Sequence, residues 1–167
     1  MRIGIGYDIH RFEDGRRLVL GGIDFPGETG LAGHSDADVL LHAIADALLG
    51  AARLADIGTL FRPDDEKWAG ADSAMIVAKC MRLVRSMKHG YEVENIDTTI
   101  IAERPRLGPS TEHMEHRIAE IVGIEPERVS VKATTHDGLG ALGRGEGIAA
   151  MAVVLLREDN RQRMGSE

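Results

Sequence analysis

The stretch IGIGYDIH, residues 3–10, alternates Ile3, Ile5, Tyr7 and Ile9 with Gly4, Gly6, Asp8 and His10. A period of two is that of a β-strand with one apolar face, so the other face carries two glycines, an acid and an imidazole. Asp8 and His10 then point the same way, with Cα atoms roughly 6–7 Å apart at about 3.3 Å of rise per residue. From there two side chains can converge on one small ion. The pair by itself is also what the wet face of an edge strand carries.

Working outward, the periodicity changes several times, which predicts an α+β or α/β layered fold and not a bundle or a sandwich. RRLVLGGIDFPGETG reads as short strand pieces broken by Gly and Pro, and the following HSDADVLLHAIADALLGAARL as a helix beginning near Ser35 or Asp36. DSAMIVAKCMRLVRSM fits a second amphipathic helix with Ile76, Val77, Cys80, Val84 and Met87 inward. VENIDTTIIAE is β-rich, and PSTEHMEHRIAEIVG makes a third helix between Pro109 and a Gly123 stop, with Met114, Ile118, Ile121 and Val122 inside. Strand-like RVSVKATT and GIAAMAVVLLRE close a single domain over residues 1–157, leaving 158–167 as a frayed tail.

At 167 residues the chain is long enough for one well-filled core. A net charge of -7 argues against a broad nucleic-acid surface while leaving room for a small anion held by local basic groups. The single cysteine, Cys80, forms no disulfide within the chain and points to a reducing compartment. Without a leader pattern or an apolar run of about 18 residues, the expectation is a cytoplasmic protein with no membrane partner.

The helix after Ser35 is apolar nearly all round, through Val39, Leu40, Leu41, Ile44, Leu48 and Leu49. Asp38, His42 and Asp46 interrupt it at i, i+4 and i+8 as one polar stripe, and buried polar groups need partners. His42 is then either a satisfied core histidine or a ligand. Joined with Asp8 and His10 it makes two imidazoles and a carboxylate, a donor set suited to Zn2+ with a fourth position left open. Asp38 and Asp46 would orient the ring from one turn either side, or face solvent. His34 and Ser35 stand where the helix begins, a place for an anion; Ser35 is equally suited to be a plain N-cap. His89, His113 and His116 read as solvated surface.

GYDIHRF, GLAGHSDADVLLHAIADALLGAA, DIGTLF, GADS, TIIAERP and the KATT to GRGEGIAA region resemble, in order and spacing, the 2-C-methyl-D-erythritol 2,4-cyclodiphosphate synthase family. The resemblance covers residues 1 to about 157. It implies an α+β fold, a four-stranded sheet with helices on one face, and a homotrimer built through the sheets with active sites between subunits. The implied reaction converts 4-diphosphocytidyl-2-C-methyl-D-erythritol 2-phosphate into the cyclic diphosphate and CMP, in the non-mevalonate isoprenoid pathway. The resemblance assigns zinc to Asp8, His10 and His42, and a second ion, Mg2+ or Mn2+, to the neighbourhood of Asp137.

Further roles carry over position by position. His34 and Thr135 match transition-state stabilisers, and His34 with Ser35 a phosphate contact. Asp8, Ile9 and His10 match one edge of the substrate site; Asp56, Ile57 and Gly58 match a loop holding the erythritol hydroxyls, and Phe61, Arg62, Pro63, Asp64 and Asp65 the segment above it. Ala102, Glu103, Arg104, Pro105, Arg106, Leu107 and Gly108 match the cytidine pocket, whose backbone reads the base; alone they would be an ordinary strand exit. Thr134, Thr135, His136 and Asp137 match a phosphate-side loop, with Ala141 and Arg144 beyond it. Arg144 matches an arginine that meets the diphosphate; by itself it is more often a surface or oligomer-contact arginine.

This chain departs from the pattern at Asp137, where Glu is frequent, at Ala141 in place of an aromatic, in the order FRPDD, and at Met151, where some relatives carry an acid near the threefold axis. Asp137 and Ala141 leave open a trimeric binding or regulatory protein that keeps the metal and nucleotide pockets but has lost turnover; a second alternative is a metal-dependent phosphohydrolase on the same scaffold.

Overall fold

The computed structural model describes residues 1–62, 64–68, 70–87 and 90–159. Four strands, β1 (Arg2–Arg11), β4 (Tyr91–Ile101), β5 (Val129–Thr134) and β6 (Gly147–Glu158), make one sheet in the order β1-β6-β4-β5. β6 is antiparallel to both β1 and β4, while β4 and β5 are parallel. A two-stranded ribbon of β2 (Val19–Leu20) and β3 (Ile23–Asp24) lies apart. The longer helices are α1 (Val39–Ala51), α3 (Ser73–Arg85) and α4 (Thr111–Val122); the single turn α2 (Ile57–Leu60) lies between α1 and α3, and a second, α5 (Gly140–Gly143), between β5 and β6. α4 ends as expected at Gly123, left-handed at φ 78°. The expected α+β class and four-stranded sheet are present.

The alternation in β1 is real, but the face turned to the core is the glycine face. Gly4 and Gly6 are buried, whereas Ile3, Ile5, Tyr7 and Ile9 are 72%, 64%, 52% and 48% exposed. The reason is α1, whose backbone lies directly on the strand. A Cβ on Gly6 would come within 1.9 Å of the Ala43 carbonyl oxygen, and one on Gly4 within 2.0 Å of that of Ala47. Glycines on the strand, with Ala43, Ala47 and Ala51 on the helix, permit that approach. Opposite Gly4 and Gly6, β6 presents Val154 and Ala152, and Ile96, Thr98 and Ile100 of β4 continue the buried face.

Two boundaries differ from expectation. α1 begins at Val39 with Asp38 as its N-cap, not at Ser35 or Asp36. Asp36, Ser35 and Asp38 are all cap-forming residue types; Asp38 takes the role because its carboxylate sits where the Leu40 and Leu41 N–H groups emerge. At the other end β6 continues through Glu158, paired with Tyr91, so the tail begins later than residue 158. Residues 160–167 lie outside the described residues, as does His89. His113 and His116 are exposed on α4.

Candidate metal and substrate site

At the far end of β1, Asp8 and His10 meet His42 from the second turn of α1. Asp8 Oδ2 lies 2.8 Å from His10 Nε2 and 3.0 Å from His42 Nδ1, and the two ring nitrogens are 3.2 Å apart. A tetrahedral ion bonded at about 2.0–2.1 Å to N and O donors spaces them roughly 3.3 Å apart, so this triangle fits such an ion with slight opening. Two imidazoles and one carboxylate on three sides leave the cavity side open. Among the described residues these three are the one group of His, Cys, Asp or Glu side chains close enough to share a metal.

The electrostatics agree with a polar cluster held by mutual contact. Burial pushes the Asp8 carboxyl up, but the hydrogen bonds and charges of His10 and His42 outweigh it and hold the group well below the usual carboxylate range. Burial pushes His10 down, and its hydrogen bond to Asp8 with the Asp8 charge outweighs that and raises it. The other His10 nitrogen, Nδ1, faces the Ala32 carbonyl oxygen at 2.5 Å, which fixes the ring.

The triad opens into a cavity of about 200 Å³ also lined by His34, Ser35, Ile57, Gly58, Phe61, Trp68 and Ile76. His34 is exposed and Ser35 buried. Phe61 and Trp68 meet edge to face at 4.9 Å, with the Lys79 ammonium over both rings. Asp56 caps the short α2, accepting from Thr59 N at 2.8 Å, and its neighbours Ile57 and Gly58 line the cavity. Of the segment above, Phe61 reaches the cavity, whereas Arg62 pairs with Asp64, and Asp65 with Lys67, at the surface. Pro63 lies outside the described residues.

Two predicted positioning roles are corrected. Asp38 does not orient His42: its carboxylate is consumed by the backbone N–H groups of Gly21, Gly22, Leu40 and Leu41, tying the β2–β3 turn to the start of α1. Complete burial pushes that carboxyl up to about 6 despite those bonds. Asp46 instead accepts from Ile57 N at 2.8 Å and so holds the 56–58 loop on α1; burial raises it as well. The second nitrogen of His42 faces Ser35 Oγ at 3.1 Å and Ser73 Oγ at 3.0 Å. Ser73, Trp68 and Ile76 escape a reading of the sequence because nothing local marks them; the GADS motif containing Ser73 is the one available signal.

The remaining predicted residues form a second group, away from the triad's cavity. Ala102 N donates to Thr134 O at 3.0 Å, and Glu103 Oε1 accepts from His136 N at 2.9 Å, so the 102–108 segment and the 134–137 loop are bound together. Asp137 takes a left-handed φ of 52° and its N–H faces Thr135 Oγ1 at 3.3 Å. It is not one of the side chains close enough to share a metal with the triad. Arg104 lies over the Phe12 ring, Pro105 follows a cis peptide bond, Arg106 and Gly108 are exposed, and Leu107 is buried. Arg144 is paired with Glu146 at 2.6 Å. A larger cavity of about 420 Å³, lined by Ile9, His10 and Ala141 among others, brings the two groups towards each other.

A profile of the YgbB family matches residues 1–157. The chain is 56% identical over 156 residues to the 2-C-methyl-D-erythritol 2,4-cyclodiphosphate synthase of Moorella thermoacetica, covering 93% of this chain and 94% of that one. It is 54% identical to a Synechococcus enzyme of the same name, covering 95% and 99%. Among solved structures, the bifunctional IspDF of Campylobacter jejuni superposes with a TM-score of 0.90 at 39% identity; 95% of this chain is covered, spanning 42% of that longer protein. The Plasmodium falciparum IspF complex with CDP gives 0.81 at 33% identity, covering 95% and 97%. With its fold, its triad and these likenesses in agreement, the chain belongs to the YgbB family, that of the 2-C-methyl-D-erythritol 2,4-cyclodiphosphate synthases.

Proposed function

We propose that the protein cyclises 4-diphosphocytidyl-2-C-methyl-D-erythritol 2-phosphate. An oxygen of the 2-phosphate attacks the β-phosphorus, the bond from that phosphorus to the bridging oxygen breaks, and CMP departs with the electron pair. The observation that carries this reading is the convergence of Asp8, His10 and His42 beside a cavity, in a chain of this family. No protein nucleophile is needed; the site must bend a polyanion, align the attack and neutralise charge.

Asp8 Oδ2, His10 Nε2 and His42 Nδ1 would hold Zn2+, which supplies positive charge to a phosphate oxygen when bound. His34 and Ser35 hold the phosphate beside it. Phe61, Trp68 and Ile76 present an apolar wall to the methylerythritol carbons, and the Asp56 loop, steadied by Asp46, accepts from its hydroxyls. The 102–108 backbone takes the cytosine, and the Thr135 hydroxyl serves the reacting phosphates. A second ion, Mg2+ or Mn2+, belongs near Asp137, whose side chain is one methylene shorter than Glu and so reaches it less far. The CDP complex of the Plasmodium falciparum relative supports a cytidine nucleotide as ligand.

The active form is a homotrimer packed through the open sheet faces. Thr134, Thr135, His136, Asp137 and Arg144 are exposed in the single chain and do not line the triad's cavity, and Ala141 meets His10 only across the second cavity. A neighbouring subunit can complete that half of the site. No described helix is long and apolar enough to cross a membrane, and Cys80 is free and buried, in keeping with a cytoplasmic enzyme.

The test is incubation of purified protein with the substrate and Mg2+, following CMP and the phosphorus NMR of the product. The cyclic diphosphate should form, chelation should abolish it, and His42→Ala should lose zinc and activity together. A linear phosphate product, no CMP, or full activity of the metal-stripped protein would overturn the reading.

A further inference from the structure

Ser73 is the first residue of α3 and is fully buried, yet its hydroxyl does no capping. Asp72 provides the cap, accepting from Ala74 N at 2.8 Å. The Ser73 backbone N–H goes to Asp36 Oδ2 at 3.1 Å, and its hydroxyl donates to Asp36 Oδ1. Asp36 accepts further from Asp38 N at 3.2 Å, so the carboxylate is held from both the 33–38 loop and α3. A carboxylate is acceptor-only when ionised, which commits the Ser73 proton to Asp36. The Ser73 oxygen therefore turns lone pairs towards His42 Nε2, 3.0 Å away.

That arrangement decides which ring nitrogen of His42 bears hydrogen when the ring acts as a ligand. With an acceptor facing Nε2, the proton resides there, and Nδ1 keeps its lone pair for the point it shares with Asp8 Oδ2 and His10 Nε2. We infer that Ser73 and Asp36 are positioning residues for His42, a carboxylate–hydroxyl–imidazole chain that sets ring orientation and metal affinity. The inference rests on the metal reading of the triad and deepens it. Ser35 Oγ, 3.1 Å from the same Nε2, receives the Ala37 N–H and stands 3.4 Å from Ser73 Oγ, and with its own proton turned to Ser73 it is a second, weaker acceptor for Nε2.

The test uses the whole chain stripped of metal and titrated with Zn2+ alone against a chelating indicator. Ser73→Ala should weaken zinc binding by about 10–100-fold, the range for partners of ligating histidines. Ser73→Thr, which keeps the hydroxyl, should recover most of that loss. Asp36→Asn, which leaves Ser73 in place but removes the charge its proton points to, should fall between them. Nitrogen-15 NMR of the zinc-loaded imidazole gives a readout that mere destabilisation would not move: a slowly exchanging Nε2 proton on His42 in the unaltered chain, fast-exchanging in Ser73→Ala. If Ser73→Ala does not fold, Asp36→Asn carries both measurements. Zinc held by the folded variants as tightly as by the unaltered chain, while His42→Ala loses it, overturns the positioning role alone. An unaltered chain that takes up no zinc overturns the metal reading and this inference with it.

Discussion

Asp8 and His10 stabilise each other in opposite charge states, and this gives the triad a defined pH response. His10 is raised by Asp8, so its contribution to the metal-free fold is complete below the ordinary histidine value and is lost as pH rises through the raised one. Asp8 is depressed, so its contribution is present above the ordinary carboxylate value and is lost as pH falls towards the depressed one. The metal-free protein should gain from the pair in the mildly acidic window between. Zinc reverses the preference at His10, because a ligating imidazole must be neutral. The expected outcome is a zinc affinity that falls as pH drops through the raised His10 value, accompanied by proton release on binding. Calorimetry in buffers of different ionisation enthalpy measures the protons directly; binding with no proton release between pH 6 and 7 would contradict it.

At the scale of elements, the contact of β1 with α1 decides where Asp8, His10 and His42 meet, and it depends on two missing side chains. Gly6→Ala would drive a methyl to 1.9 Å from the Ala43 carbonyl oxygen, backbone that cannot rotate away. The strand or helix must shift, a cost of about 3 kcal/mol or more at the upper end of overpacking. Gly108→Ala, with nothing within 4 Å, should cost under about 0.5 kcal/mol as an ordinary surface change. Urea unfolding of both variants measures the contrast, and a Gly6→Ala protein as stable as the unaltered chain would show the two backbones are not in contact. The same pairing explains what the sequence could and could not convey. The period of two in residues 3–10 and the i, i+4, i+8 stripe on α1 make Asp8, His10 and His42 one candidate set, and the family resemblance assigns zinc to it. Alternation reports two faces without saying which is inner, and only a helix laid on the glycines puts the isoleucines outside. Asp38 and Asp46 lie on the right helix face for His42, but backbone N–H groups of other segments claim them first. Ser73 and Asp36, 37 residues apart in the chain, meet only because α3 starts beside the 33–38 loop.

On the scale of the whole molecule, the unexplained surface is the outer face of the sheet. Ile3, Ile5, Tyr7 and Ile9 stand open on β1, and the cross-strand partners Leu155, Val153 and Met151 extend the strip on β6. A contiguous apolar strip of this kind marks an interaction surface. Fully burying one such side chain is worth about 1.5–3 kcal/mol, so four partly exposed ones in each copy supply several kcal/mol towards association. A closed ring of identical chains covers every copy equally, whereas an open arrangement leaves an apolar end exposed. On the trimer proposed above, the unaltered protein should run in light scattering at about three times the 18.1 kDa of the chain. Ile5→Asp places a carboxylate at the middle of the strip, where association would bury it unpaired, and should yield the 18.1 kDa species. Because Ile5 points away from the triad and is 64% exposed in the single chain, that variant should stay folded and bind zinc as before. It should lose cyclisation if a neighbour completes the nucleotide half of the site; a monomeric variant with unchanged turnover would show that one chain suffices.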